Sequence, residues 1–168
     1  MIFVIRARVF ALLGTAAIFV AFSGVEPVGA VDSGASSGSS GGSSTPTVNI
    51  SAEIDDARKF IRLGRYSSAI RALRVVVQQD GQNADAYNLL GFASRKLERT
   101  KDAAKYYATA LKIKPDHLGA LEYQGELFLM LDQLEKANAN LAKLLRLCGD
   151  NCHEYLDLKT DIASHQGS

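Results

Sequence analysis

The chain holds two cysteines in 168 residues, and they stand four positions apart: Cys148 and Cys152, with His153 directly after. Thiols at this spacing have three chemistries open to them. Around a turn formed by Gly149, Asp150 and Asn151, the separation is compatible with the Cα distance of a disulfide. As free thiols they make a redox pair. With His153 they offer three metal ligands, but no fourth ligand lies nearby in sequence. A thioredoxin-type site fits poorly, because it needs a shorter Cys spacing and a βαβ setting. A lone close pair usually bonds in an oxidising compartment. Closing so short a loop contributes about 2 kcal/mol in the chain-entropy model. The spacing thus favours a structural disulfide between Cys148 and Cys152, with no metal and no cofactor.

The remaining reactive side chains do not assemble into catalytic chemistry. His117 falls in a turn and His165 in the tail, and neither has a nucleophile at a meaningful spacing. Both are expected as solvated surface histidines. No glycine loop leads into a helix with Lys-Ser/Thr, so a phosphate cradle is absent from the sequence pattern. Asn49-Ile50-Ser51 matches an N-glycosylation acceptor and reads as a chance match. No enzyme is expected. The chain carries 19 Lys+Arg against 18 Asp+Glu. Without Arg6, Arg8 and Glu26 in the first 30 residues, each sign totals 17. Such neutrality argues against a nucleic-acid partner, which calls for a basic excess or stripe.

The first thirty residues read as an address. Arg6 and Arg8 precede an uncharged, mostly apolar run from Val9 to Phe22, and small residues end the segment at Val28-Gly29-Ala30. That order predicts a signal peptide over 1–30 cleaved after Ala30. The run is short for a membrane span of about 20 residues. An uncleaved inner-membrane anchor is the alternative, and membrane contact is expected only in that case. Residues 31–49, built around DSGASSGSSGGSSTPT, hold too little apolar surface to offset ordering entropy. They are expected to be a disordered linker, either a tether or a neutral spacer. Export to the periplasm follows from the signal, and with it an oxidising compartment.

Positioning falls to the rest of the chain, which repeats itself. Ala69, Ala103 and Ala137 stand 34 residues apart, as do Ala57, Gly91 and Gly125. The same step links Leu63, Leu97 and Leu131; Leu73, Tyr107 and Leu141; and Val77, Leu111 and Leu145. It also links the breakers Gly81, Pro115 and Gly149. A fixed period of this length predicts stacked supersecondary units. The units are placed at 50–83, 84–117 and 118–151, each a pair of helices. Gly91 and Ala103 mark where paired helices cross, since close-packed interiors leave no room there for larger groups. Ser51, Asn83, Thr100 and Asp132 are the expected helix N-caps. Residues 152–168 hold an amphipathic helix whose Tyr155, Leu158 and Ile162 share one face, fit to cap the last unit.

The segment at 84–115 resembles a tetratricopeptide repeat, through Tyr87, Leu90-Gly91, Ala103, Tyr107, Ala110 and Pro115. The third unit keeps Leu121, Gly125, Phe128, Ala137, Leu141 and Leu144, with Gly149 in place of Pro. The first is the most degenerate, with Glu53 and Asp56 where apolar residues are usual. It retains Ala57, Phe60, Ala69 and Leu73. The resemblance implies an all-α solenoid of three helical hairpins with a capping helix. It also implies a concave groove, lined by the first helix of each pair, that takes a protein or peptide segment. By register, the groove-facing residues are Arg58, Arg62, Asn88, Phe92, Arg95, Glu122, Glu126 and Leu129. They give a basic end, an aromatic centre with Asn88 beside it to bond a peptide backbone, and an acidic end. Carboxylate-clamping chaperone adaptors of the family need a Lys/Asn/Arg set where this chain has Ile54, Arg58, Leu89, Gly119 and Tyr123. That activity is not implied. A protein-binding adaptor or assembly factor is therefore expected, with a redox or metal-handling accessory role as the rival reading. Sequence does not set the partner's identity or the oligomeric state.

Overall fold

Seven helices follow one another, with no strand among the described residues, which in this computed structural model are 49–167. They are α1 (Ile50–Arg62), α2 (Tyr66–Gln79), α3 (Ala84–Lys96), α4 (Thr100–Ile113), α5 (Leu118–Met130), α6 (Leu134–Cys148) and α7 (His153–Gln166). The expected signal peptide, its cleavage point and the linker up to residue 48 lie outside the described residues. None of the seven helices is long and apolar enough to cross a membrane. Neighbours in sequence pack as hairpins, α1 with α2, α3 with α4 and α5 with α6. The first helices begin at residues 50, 84 and 118, and the second at 66, 100 and 134. Both series keep the period read from the sequence.

The turn inside each hairpin is the same device made three times. One residue takes a left-handed backbone: Gly64 at φ 68°, Glu98 at φ 58° and Asp132 at φ 54°. The following amide then reaches back to the carbonyl five residues earlier: Arg65 N to Phe60 O, Arg99 N to Ser94 O and Gln133 N to Phe128 O, at 2.8–2.9 Å. These bonds satisfy carbonyls orphaned at the helix end, as in a Schellman motif. Only the first turn uses the residue for which that conformation is unstrained.

The turn geometry corrects three of the expected caps. Asp132 is the left-handed turn residue, and Gln133 precedes α6. Ser51 lies inside α1, which Asn49 caps by accepting from Ala52 N at 3.2 Å. Thr100 is the first residue of α4, behind Arg99. Asn83 does cap α3, accepting from Ala86 N at 3.0 Å. His117, expected in solvent, caps α5 through Nδ1, which accepts from Ala120 N at 3.2 Å. Its Nε2 faces Asp85 at 3.0 Å, and its side chain is 11% exposed. A ring nitrogen that accepts from an amide does the work usually given to Asn or Ser.

Packing follows the small residues. Ala57, Ala69, Ala103 and Ala137 are fully buried where helices approach. At Gly91 the ring of Tyr107 lies so close that a Cβ would sit 2.5 Å from its Cε1. The close fit to Gly91 is therefore made by Tyr107, one turn beyond Ala103. Gly125 plays the same part for the last helix, since a Cβ there would meet Leu158 Cδ2 at 2.5 Å. Tyr155, Leu158 and Ile162 are buried against the third hairpin, as the amphipathic pattern demanded. Asn140 ties α6 to α5 through Leu121 O at 3.0 Å and Gln124 Oε1 at 3.1 Å. Cys148 and Cys152 join α6 to α7, with sulfurs at disulfide distance and Cα atoms 5.8 Å apart.

Candidate protein-interaction groove

The first helices of the hairpins run side by side, α1 against α3 and α3 against α5, and α7 continues the row against α5. Along this row three half-buried rings form a file. Tyr66 meets Phe92 edge-on at 6.4 Å between centroids, and Phe92 meets Tyr123 at 4.9 Å. Arg95, one turn after Phe92, lies under the file with its guanidinium 5.5 Å from the Phe92 ring and 5.8 Å from that of Tyr123. Its Nη1 donates to Glu126 Oε2 at 2.6 Å, and only 6% of the side chain is exposed. Nε and Nη2 have no hydrogen-bond partner, and neither does the buried hydroxyl of Tyr107. Leaving such donors unmade is expensive. Two ring faces and one carboxylate offset that penalty in part.

Carboxylates crowd the end of the row. Glu122 and Glu126 come from α5, and Glu154, Asp157 and Asp161 from α7. Glu122 is 7% exposed. Its burial, with Glu126, Asp157 and Glu154 bearing on it, pushes its carboxyl up to about 8, while Arg95 pulls the other way. It is therefore mostly protonated at neutral pH. Burial also raises Glu126, against the opposing charge of Arg95. Tyr123 is raised by burial and by the same glutamates, and Tyr107 is raised by burial with Arg95 opposing. Between α3, α5 and α7 opens a cleft of about 350 Å³, lined by Arg95, Glu126, Leu129, Met130, Asp161 and His165.

The family model described as "Tetratricopeptide repeat" matches residues 54–117 and 93–151. The chain is a tetratricopeptide repeat protein. Among solved structures, this tetratricopeptide repeat protein is similar to the first TPR of Spaghetti (RPAP3) bound to an HSP90 peptide. The TM-score is 0.63 at 19% identity, over 71% of this chain and 94% of that one. The second TPR domain of human RPAP3, in complex with an HSP70 peptide, gives 0.61 at 20%, over 70% and 94%. A Thermobaculum terrenum O-GlcNAc transferase gives 0.62 at 23%, over 67% of this chain but 22% of that one. These likenesses carry the repeat fold. Among curated proteins, "Tetratricopeptide repeat protein 37" of Xenopus laevis is 29% identical over 84 residues, half of this chain. "Superkiller complex protein 3" of Homo sapiens is 32% identical over 72 residues, 43% of this chain. The chain spans 5% and 4% of the lengths of these two relatives.

The eight groove residues named from the repeat register separate into two groups. Arg58 and Arg62 are exposed on α1, Arg58 bonding Asp55 at 3.3 Å, while Phe92 and Glu126 are half-buried. Asn88, Arg95, Glu122 and Leu129 are buried. Asn88 is wedged beside Gly119 with its Oδ1 sealed and unpartnered. The register reading missed Tyr123 as part of the ring file, and Asp157, Asp161 and His165 as walls. Their signal was present. Extending the repeat step carries Tyr87 and Leu121 onto Tyr155, and Leu90 and Gln124 onto Leu158. The capping helix thus occupies the place of a first helix and contributes to the same face. His165, expected in solvent, sits on that helix and lines the cleft. Of the metal ligands weighed from sequence, His153 turns away, its Nδ1 3.0 Å or less from a carboxylate: it meets Asp157 Oδ2 at 2.8 Å. Glu154 is the third group near the two sulfurs, which are bonded to each other.

Proposed function

We propose that this tetratricopeptide repeat protein is an exported interaction scaffold, an adaptor or assembly factor of the periplasm, that holds a polypeptide segment of a partner along α1, α3, α5 and α7. The observation that carries the reading is the ring file Tyr66, Phe92 and Tyr123. It gives a half-buried apolar track between the exposed arginines of α1 and the carboxylates of α5 and α7. Aromatic and Arg side chains on a rigid helical face are the usual anchors of a protein interface. The same fold holds chaperone peptides in the RPAP3 domains, which supports a peptide-sized occupant. Those peptides end in acidic residues, whereas the matching face here carries carboxylates of its own at one end, so a different segment is called for.

Photocrosslinkers placed at Arg62 and at Leu129 in cells test the reading. Discrete protein adducts are expected at both sites, reduced about tenfold by Phe92→Ala, the loss typical of removing one interface anchor. Adducts no stronger than those from a crosslinker at the exposed Lys105 of α4 would end it. N-terminal sequencing of the same material tests export. A start at Val31 is expected, and an intact leader would instead make the protein a membrane-anchored subunit.

A further inference from the structure

We infer that the acidic end of the groove seats a lysine or arginine side chain of the partner segment, with its aliphatic stem along Leu129 and Met130 and its charge between the carboxylates of α5 and α7. This rests on the scaffold reading and names what that groove accepts. Two observations carry it. The first is charge: five carboxylates from two helices converge, namely Glu122, Glu126, Glu154, Asp157 and Asp161. Arg95 answers them with a single bond to Glu126, and His153 with one to Asp157. The second is a buried polar group without a partner. Glu122 is 7% exposed and accepts no hydrogen bond. A carboxyl so placed is unsatisfied until a donor arrives.

The shape of the site favours an extended cation over a bare ion. Among the described residues, the one group whose three ligand atoms lie within 4.8 Å of one another is Cys148, Cys152 and Glu154. The groove carboxylates are thus spaced too widely to close around a calcium ion at about 2.4 Å. A long side chain with an apolar stem and a charged tip matches instead, because the cleft offers Leu129 and Met130 beside Glu126 and Asp161. Seating the cation stabilises the charged form of Glu122, so its proton leaves to the solvent. The charged and titratable groups that bear on Glu122 are Arg95 from α3, Glu126 and Tyr123 from α5, and Glu154 and Asp157 from α7. From α4, Tyr107 acts through Arg95 and Glu126. The lysines of α6 that approach α5 are engaged elsewhere, Lys136 over the Phe128 ring and Lys143 on Pro115 O.

The test titrates the full-length protein, at low salt, with deca-lysine, deca-glutamate, spermine and calcium chloride, following backbone amide signals. Deca-lysine is expected to shift Glu122, Glu126, Leu129, Asp157 and Asp161 saturably, and deca-glutamate to leave them in place. The double variant Asp157→Asn with Asp161→Asn should weaken deca-lysine binding about tenfold, whereas Asp102→Asn on the exposed face of α4 should leave it unchanged. Calorimetry at pH 7 in phosphate and in Tris should show about one proton released per chain, lost in Glu122→Gln. Equal weakening by Asp102→Asn, unmoved signals on α5 and α7, or calcium or spermine saturating the same amides ahead of deca-lysine would overturn the inference. If those outcomes appear while the Leu129 crosslink to a partner persists, the cation seat falls and the scaffold stands. Loss of the crosslink as well removes both.

Discussion

Replacing Glu122 with Gln should make the protein less sensitive to alkali. The native carboxyl titrates at about 8, against 4.5 for an ordinary glutamate. The folded chain therefore holds this proton more tightly than the unfolded one. Between the two values folding takes up a proton, and rising pH weakens the fold. The stabilising contribution is fully present below about pH 5 and is lost as pH climbs through 8. From pH 6 to pH 9 the linkage removes about 3 kcal/mol from the wild type. Gln keeps the shape and neutrality of the protonated acid, so this part of the slope disappears in the variant. Urea unfolding followed by helical circular dichroism at pH 6, 7, 8 and 9 reads the difference directly. The wild-type midpoint should fall across the series while that of Glu122→Gln stays nearly level. Parallel curves for the two proteins would refute the reasoning, because every other titrating group is common to both.

Three further outcomes follow from the packing and turns. Gly91→Ala drives a methyl into the Tyr107 ring and should destabilise by roughly 1–3 kcal/mol, more than Gly125→Ala, whose obstacle is the rotatable end of Leu158. Thermal unfolding that ranked them the other way would count against the fit described. Glu98→Gly relieves a left-handed residue in the second hairpin turn and should raise stability by roughly 0.5–1 kcal/mol, measured by urea midpoint. Replacing both Cys148 and Cys152 with Ser should lower stability by about 2 kcal/mol, with the increase in amide hydrogen exchange concentrated in α7.

The period and the helices were legible because they depend on side-chain size at fixed intervals, and a sequence displays that directly. Ala57, Ala69, Ala103 and Ala137 must be small wherever helices touch, and the amphipathic face of α7 needs Tyr155, Leu158 and Ile162 together. The all-α repeat fold followed. Roles that depend on contact between elements were harder to see. Arg95 reads as a surface charge until α5 closes over it and brings Tyr123 and Glu126. His117 reads as a turn residue until its ring nitrogen meets the first amides of α5. Asp132 has the chemistry of a cap, but the turn spends it on a left-handed backbone first. The walls supplied by α7 went unread because a helix assigned to capping was not also asked what its other edge would face.

That double duty of α7 ties tightness of assembly to recognition. The helix is fastened by Leu158 pressing on Gly125, yet its Asp157 and Glu154 help decide whether Glu122 keeps a proton. A substitution that loosens the fastening, though it touches no partner, withdraws negative charge from the groove and lets Glu122 ionise at lower pH. The terminal helix is in this sense a tuning screw, and the acidity of one buried carboxyl reports how far it has been turned.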